Sequence, residues 1–125
     1  MLFDTDILIW FERKNSKAAL ALNHAEEKFL SIFSYMELLQ GANSEKHAEL
    51  IKDFIASQNF KILPLSENIG HRASIYIEEY SLAHGLRAAD SVIAATAAEH
   101  HLTLLSGNEK HFKPIRDIKL KIFRP

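Results

Sequence analysis

Residues 88–108, AADSVIAATAAEHHLTLLSGN, decide the fold class, because a helix and a strand follow each other there with a short connection. The stretch from Ala88 to His100 is rich in alanine and largely apolar, which predicts a well-buried helix. Leu102–Leu105 is a short apolar run typical of a strand in a parallel sheet, and Ser106-Gly107-Asn108 predicts a turn after it. A buried helix that leads into a buried strand indicates a parallel α/β sheet.

The same alternation continues on both sides of this stretch. Apolar runs predict further strands at Leu2–Phe3, Phe29–Phe33, Ile62–Leu65 and Lys119–Phe123, and Pro64 indicates an edge position or a strand end for the third of these. Helical periodicity predicts helices after Asp6 and at Ala18–Glu27, Tyr35–Gln40, Glu45–Ser57 and Ser66–Ala83. The sequence therefore predicts an α/β fold, three layers deep as α/β/α around a short, mostly parallel central sheet, in a single domain over residues 1–125.

Composition excludes several classes of protein. The 125 residues contain no cysteine, which removes disulfide frameworks, cysteine-based zinc sites and thiol catalysis and fits a reducing cytoplasm. No apolar run approaches the roughly 20 residues that a membrane span needs. The formal net charge of −1 argues against a nucleic-acid binder, but from residue 107 onward there are six basic and only two acidic residues. The near-neutral total is therefore an average over an acidic part and a basic C-terminal part.

Four oxygen-bearing side chains are expected at the carboxyl edge of the sheet, where open α/β sheets place their chemistry. Asp4 follows the first strand, Glu37 lies one turn into the helix after the second, Asp90 lies in the first turn of its helix, and Asn108 follows the fourth strand. The set contains no histidine. Such ligands suit Mg²⁺ or Mn²⁺ rather than Zn²⁺, and the matching chemistry is metal-assisted attack of water on a phosphoester.

Each of these residues also has a purely structural explanation. Asp4 suits a turn or a helix N-cap, and Glu37 suits a capping box with Ser34. Asp90 is a favourable charge at a helix N-terminus, and Asn108 is an ordinary turn residue. Spacing alone leaves both explanations open for all four, so the surrounding sequence has to decide between them.

Four short segments surround these residues, and together they resemble a known family. They are Leu2–Leu8 (LFDTDIL), Ser34–Gly41 (SYMELLQG), Ala88–Ala97 (AADSVIAATA) and Leu104–Phe112 (LLSGNEKHF). In this order they are similar to the PIN-domain proteins, specifically the VapC-type toxin ribonucleases of type II toxin–antitoxin systems. The resemblance covers essentially the whole chain.

The resemblance implies a PIN-like fold and an endoribonuclease that depends on Mg²⁺ or Mn²⁺. Its metal-binding acids correspond to Asp4 and Asp90, which would bind directly, and to Glu37, which would bind directly or through water. Water activated by the metal would attack the phosphorus of an RNA phosphodiester in line. Asn108 stands where many members carry a fourth acid and would orient a water or a phosphate oxygen. This departure leaves the choice between one and two metal ions open.

The resemblance also implies supporting residues and partners. Thr5 and Ser106 match small hydroxyl positions near the first acid, while Arg87 and Lys110 are candidates for contacts with the RNA backbone. The family forms homodimers and is inhibited by a cognate VapB-type antitoxin. An apolar groove for a partner helix could be lined by Leu8, Trp10 and Phe11; plain core packing is the alternative, favoured for Leu8 and Phe11 more than for Trp10.

Three alternatives compete with the ribonuclease hypothesis. The Asp4-Thr5-Asp6 start also fits haloacid-dehalogenase-type phosphatases, but Asp117 is the only late acid and has no partner in the sequence. A phosphoacceptor receiver domain expects an acid after the third strand, where this chain has Leu65-Ser66. A degenerate, non-catalytic PIN module has no reason to keep all three acids. His111 could touch phosphate, but a structural role is the simpler expectation for it.

Overall fold

The architecture follows from strands that are short and apolar and from helices that cover both of their faces. In the computed structural model, which describes residues 1–125, the strands are β1 (Leu2–Phe3), β2 (Phe29–Ser31), β3 (Lys61–Leu63), β4 (Thr103–Ser106) and β5 (Lys119–Ile122). The helices are α1 (Thr5–Glu12), α2 (Ser16–His24), α3 (Ile32–Gln40), α4 (Glu45–Ser57), α5 (Glu67–His84), α6 (Ala88–Glu99) and α7 (Glu109–Phe112). The predicted alternation of strands and helices is confirmed.

All five strands run parallel in one sheet, in the order β3-β2-β1-β4-β5. The predicted sheet is therefore confirmed and is fully parallel. The edge position indicated by Pro64 is also confirmed, since β3 is an edge strand. Because β1 lies between β2 and β4, the residue that follows β1 emerges at the centre of the carboxyl edge of the sheet.

Consecutive residues of the central strands point to opposite faces and build two separate cores. Leu2 and Leu104 pack against α5 and α6, whereas Phe3 and Leu105 pack against α1 to α4. Each core cluster contains 12 buried residues, so neither face of the sheet is left to solvent. This is the three-layer α/β/α arrangement that the sequence predicts.

Helix α3 begins three residues earlier than the sequence suggested, and this changes the role of Glu37. Its N-cap is Ser31, whose side chain accepts a hydrogen bond from the backbone N–H of Ser34 at 3.0 Å. The capping box expected between Ser34 and Glu37 is therefore wrong: Ser34 lies buried inside the helix, and Glu37 lies well past the first turn. The Glu37 carboxylate is not engaged at the end of its own helix.

Two other boundaries differ from expectation at the carboxyl edge. Helix α1 begins at Thr5, directly after Asp4, so the acidic stretch is the first turn of a helix rather than a separate turn. Strand β4 includes Ser106, and the four-residue helix α7 follows Asn108 where only a turn was predicted. Both differences bring polar side chains closer to the end of β1. No helix combines the length and the apolar character that crossing a bilayer requires.

Candidate metal-binding and catalytic site

Asp4 is the most buried acid at the carboxyl edge of the sheet. It is 7% exposed and forms the N-cap of α1, where Oδ1 accepts a hydrogen bond from the backbone N–H of Thr5 at 2.8 Å. Its other oxygen, Oδ2, accepts from the Ser106 hydroxyl at 2.6 Å across the β1–β4 pair. Asp4 thus caps α1 and also lies at the carboxyl edge of the sheet, so the capping role leaves a role in the candidate site open to it.

The environment of Asp4 opposes its negative charge. Burial raises the pKa of Asp4 to about 7, and the carboxylate of Asp6 and, less strongly, that of Asp90 add to the rise. The hydrogen bonds from Ser106 and Thr5 act in the opposite direction but do not cancel the rise. A cation bound beside Asp4 would remove this penalty by compensating the charge.

Glu37 reaches the site through Thr5. The Thr5 hydroxyl donates a hydrogen bond to Oε1 of Glu37 at 2.9 Å, and this contact joins α1 to the middle of α3. No lysine or arginine lies within ion-pair distance of Glu37. Thr5 therefore contacts two acids at once: its backbone N–H holds Asp4, and its side chain holds Glu37.

Asp90 sits in the first turn of α6 and has a partner that the sequence analysis did not expect. Its Oδ2 lies 2.8 Å from Nδ1 of His111 and accepts a 3.4 Å hydrogen bond from the backbone N–H of Arg87. Since a carboxylate only accepts, Nδ1 of His111 carries the proton in this contact. His111, for which a structural role was the simpler expectation, thus contacts one of the candidate acids.

Asn108 acts as a cap in the structure. Its side-chain oxygen accepts from the backbone N–H of His111 at 3.4 Å, and its Nδ2 lies 3.0 Å from Nδ1 of the same ring. Its own backbone N–H donates to the Ser106 hydroxyl at 2.9 Å. With Nδ1 protonated, the contact between Nδ2 and the ring is a close approach and not a hydrogen bond. Hydrogen bonds still connect Asp4 to Ser106, Ser106 to Asn108, Asn108 to the backbone of His111, and the His111 ring to Asp90.

Asp6 is a half-buried acid that the sequence analysis did not place in the site. Its Oδ2 accepts a hydrogen bond from the backbone N–H of Gly107 at 2.9 Å, whereas its Oδ1 is buried with no hydrogen-bond partner. Burial raises the pKa of Asp6 as well. A Cβ at Gly107 would lie 2.8 Å from Oδ2 of Asp6, so only glycine allows this close approach. The spacing of two acids in Asp4-Thr5-Asp6 was the available signal.

The predicted residues therefore fall into two groups. Asp4, Thr5, Glu37, Ser106, Asn108 and Asp90 lie at the same edge, connected directly or through His111. Arg87 and Lys110 have exposed side chains at its rim and make no side-chain contact with the acids. No three histidine, aspartate or glutamate side chains are close enough together to form a ready metal-binding cluster. The candidate acids therefore fit a hard cation by the kind of donor atom that they offer and by their negative charge.

An apolar groove of about 630 Å³ lies on the face covered by α1 and α4. Phe11 and Phe54 stack in it with ring centroids 4.8 Å apart, and Leu50 beside them is 57% exposed. Leu8 and Phe11 line this groove, as one of the two explanations predicted. Trp10 does not, and its ring instead faces the Arg13 guanidinium at 5.6 Å.

Comparisons with known proteins agree with the resemblance noted from the sequence. A family model described as PIN domain matches residues 1–117. A toxin–antitoxin complex from Klebsiella pneumoniae contains a chain 31% identical to this one, with 94% of this chain and 93% of that chain covered and a TM-score of 0.78. Searching curated proteins by sequence gives no match.

Two further solved structures share the fold. FitAcB from Neisseria gonorrhoeae is 24% identical, with 95% and 94% of the two chains covered and a TM-score of 0.72. DNA-bound VapBC from Salmonella typhimurium is 21% identical, with 97% and 96% covered and a TM-score of 0.81. The sheet order and the placement of helices are therefore those of an established architecture.

Proposed function

The chain belongs to the PIN-domain family, and we propose that it is an endoribonuclease dependent on Mg²⁺ or Mn²⁺, the toxin of a VapBC-type toxin–antitoxin pair. One observation carries the proposal: Asp4, Glu37 and Asp90 lie at the same carboxyl edge of the sheet, and none of them pairs with a lysine or arginine. Acids that only maintained the fold would be expected to have cationic partners. These three are free to take a metal cation instead.

The donor set supports a hard divalent cation. Asp4, Glu37 and Asp90 offer only carboxylate oxygens, the ligands that Mg²⁺ and Mn²⁺ prefer. Burial, and after it the nearby Asp6 carboxylate, raises the pKa of Asp4, and a bound cation would favour its charged form. These three residues would hold the ion. When bound, a divalent cation stabilises charge on the phosphate and lowers the pKa of a coordinated water.

The neighbouring residues hold the acids in place. Ser106 and the backbone N–H of Thr5 each bind one oxygen of Asp4, which fixes its orientation. The Thr5 hydroxyl holds Glu37, and His111 holds Asp90. Orienting carboxylates before a ligand arrives reduces the reorganisation that binding requires. Asn108 has the same indirect role, because its side chain contacts His111 rather than an acid.

The partner of this toxin is proposed to be a VapB-type antitoxin. The Klebsiella relative at 31% identity was solved as a toxin–antitoxin complex. The apolar groove between α1 and α4 supports docking of an amphipathic partner helix, since Leu50 and the Phe11–Phe54 stack offer anchor positions for apolar side chains. A homodimer acting on RNA in the cytoplasm completes the proposal.

RNA cleavage by the purified protein tests the proposed activity. We expect total RNA to be cut in Mg²⁺ or Mn²⁺ and left intact in EDTA, and Asp4→Asn and Asp90→Asn to reduce cutting to the level without enzyme. The matched control is Glu99→Gln, which removes an acid of similar burial outside the site. Folded D4N and D90N proteins that still cut RNA would refute the site assignment. Absence of metal-dependent cutting by the parent protein would favour the degenerate, non-catalytic PIN module.

A further inference from the structure

A cleft of about 500 Å³ lies between the C-terminal end of α5 and the segment that follows α7, and we call it the α5–α7 cleft. Its residues come from two parts of the chain and are mostly polar. They are Tyr80, His84, Glu109, Lys110, Lys113, Pro114 and Arg116. The basic C-terminal part of the sequence therefore supplies three cations to one surface.

The α5–α7 cleft begins next to the candidate site. Helix α5 ends at Gly85, which adopts a left-handed conformation with φ of 72° and packs on the ring of His111. A Cβ at Gly85 would lie 3.7 Å from Nε2 of that ring, and the other ring nitrogen contacts Asp90. Only the imidazole therefore separates the end of the cleft from one of the proposed metal ligands.

The cations of the α5–α7 cleft are available for an external anion. Lys110, Lys113 and Arg116 are exposed, and neither Lys110 nor Arg116 has a carboxylate within ion-pair distance. Glu109 is the acid in the cleft, and it is bound to Arg124 at 2.6 Å, with Lys113 at 3.7 Å. Its pKa is lowered, chiefly by the hydrogen bond from Arg124. The cleft thus keeps an excess of positive charge.

Two rings give the α5–α7 cleft a second property. Tyr80 and His84 are one helical turn apart on α5, and their ring centroids lie 6.2 Å apart at an interplanar angle of 49°. Rings beside spaced cations are the usual features of a surface that binds single-stranded nucleic acid, in which bases stack while cations follow the backbone. An acidic protein segment would gain less here, because the lining of the cleft is almost entirely polar and offers little to anchor apolar side chains.

We propose that the α5–α7 cleft binds single-stranded RNA next to the scissile phosphate, with Lys113 and Arg116 on backbone phosphates and His84 beside a base. This inference rests on the proposed ribonuclease function and adds the path of the substrate over the surface. Lys110, nearest in sequence to His111, would contact the phosphate closest to the site. The strand would then enter or leave the site along the end of α5.

Binding can be measured apart from cleavage in a D90N background with a fluorescein-labelled oligouridylate at several salt concentrations. We expect Lys113→Gln with Arg116→Gln to weaken binding about tenfold and to reduce the slope of log K against log salt by about 0.7 for each phosphate that is no longer neutralised. The matched control is Lys28→Gln with Lys61→Gln. Those lysines lie at the start of β2 and β3, at the opposite edge of the sheet, and removing them changes the net charge equally.

The binding measurements decide between the outcomes. The proposal is supported if the double variant Lys113→Gln with Arg116→Gln, and not the control double variant, loses RNA affinity and salt dependence. Equal losses of RNA affinity in both double variants would overturn it, and so would unchanged RNA affinity in the cleft double variant. It would also be overturned if the cleft double variant bound RNA as before but bound an acidic polypeptide, such as polyglutamate, less well. Failure of the proposed function is a separate result, because the parent protein would then leave RNA uncut in Mg²⁺ whatever the oligouridylate binding shows.

Discussion

Two clusters of acidic residues in this molecule are built in opposite ways. On the α5–α6 face, Arg72 donates to Glu99 at 2.5 Å and to Asp117 at 2.6 Å, and the Tyr76 hydroxyl donates to the second oxygen of Asp117 at 2.6 Å. At the carboxyl edge of the sheet, Asp4 has only hydroxyl and amide donors as hydrogen-bond partners. One cluster contains an arginine that pairs with its acids, and the other contains no lysine or arginine.

The difference separates acids that support the fold from acids that are free for chemistry. The Arg72 cluster joins α5, the end of α6 and the segment before β5, and its one guanidinium pairs with both carboxylates. At the carboxyl edge, burial and then the neighbouring Asp6 carboxylate raise the pKa of Asp4, which costs stability in the absence of a cation. Proteins keep such a cost where function needs it. The following predictions test that distinction.

The largest expected effect is an opposite response of the two clusters to removal of one charge. Asp4→Asn should reduce RNA cleavage to background while raising the free energy of unfolding in EDTA at pH 8, because a buried charge is removed and the side-chain shape is kept. Glu99→Gln should leave cleavage unchanged and lower the free energy of unfolding by up to about 1 kcal/mol. Cleavage assays and urea denaturation measure both quantities.

The same pair of variants also shows how the comparison could fail. If Asp4→Asn destabilised the protein as Glu99→Gln does, the unpaired acid would be a structural group and not a strained one. If Glu99→Gln abolished cleavage, the two clusters would not be functionally distinct. Circular dichroism of each variant shows whether the fold is retained before either conclusion is drawn.

The second prediction concerns pH in the absence of metal. Because the pKa of Asp4 rises from an ordinary value near 3.8 to about 7 in the folded protein, the folded state binds more protons between these values. Stability contributed by this group is therefore present at low pH and falls as pH rises from about 4 to about 7, by at most about 4 kcal/mol at about 1.4 kcal/mol per pKa unit. Urea denaturation in EDTA across this range measures the slope.

The matched measurement uses the Asp4→Asn protein in the same buffers. Its free energy of unfolding should vary less with pH over the same window, and Mg²⁺ should reduce the slope of the parent protein by compensating the charge. Parallel curves for the parent protein and the variant would show that Asp4 titrates normally. The charge argument for a cation at this site would then have no support.

The fold could be predicted from local pattern, because its elements are signalled within single segments. The alanine-rich stretch of α6 and the apolar runs of β1 and β4 each showed their type directly. The start of α3 could not be placed, because Ser31 and Ser34 both suit a cap and only the pairing of β2 decides between them. Helix α7 was missed because four residues carry too little periodicity to be recognised.

The candidate acids could be selected from the sequence, but the contacts that organise them could not. Asp4, Glu37 and Asp90 were proposed from their places near predicted strands and from the resemblance of the segments around them. The His111–Asp90 contact spans 21 residues, and the Asp6–Gly107 contact spans 101, so neither leaves a local signal. Such partners become visible only when tertiary packing brings the segments together.

The third prediction concerns the close approach of Asp6 to Gly107. Gly107→Ala would place a Cβ 2.8 Å from Oδ2 of Asp6, so the Asp6 carboxylate must leave the Gly107 N–H or the β4–α7 connection must shift. Either change should cost about 1–3 kcal/mol of stability. Cleavage should fall as well, because Asp6 and Ser106 both lie beside Asp4. Gly70→Ala is the matched control, since nothing lies within 4 Å of a Cβ there. Equal stability of the two variants in urea would contradict the prediction.

The smallest expected effect concerns the Arg72 cluster. Tyr76→Phe removes the hydroxyl that donates to Asp117 while keeping the buried ring, so the free energy of unfolding should fall by about 1 kcal/mol with cleavage unchanged. A double-mutant cycle with Asp117→Asn isolates the contact, because Arg72 remains bound to Glu99 in every variant. A coupling energy near zero would mean that Arg72 alone neutralises Asp117. The contrast with Asp4 would then depend on one guanidinium, which is what the unpaired cluster lacks.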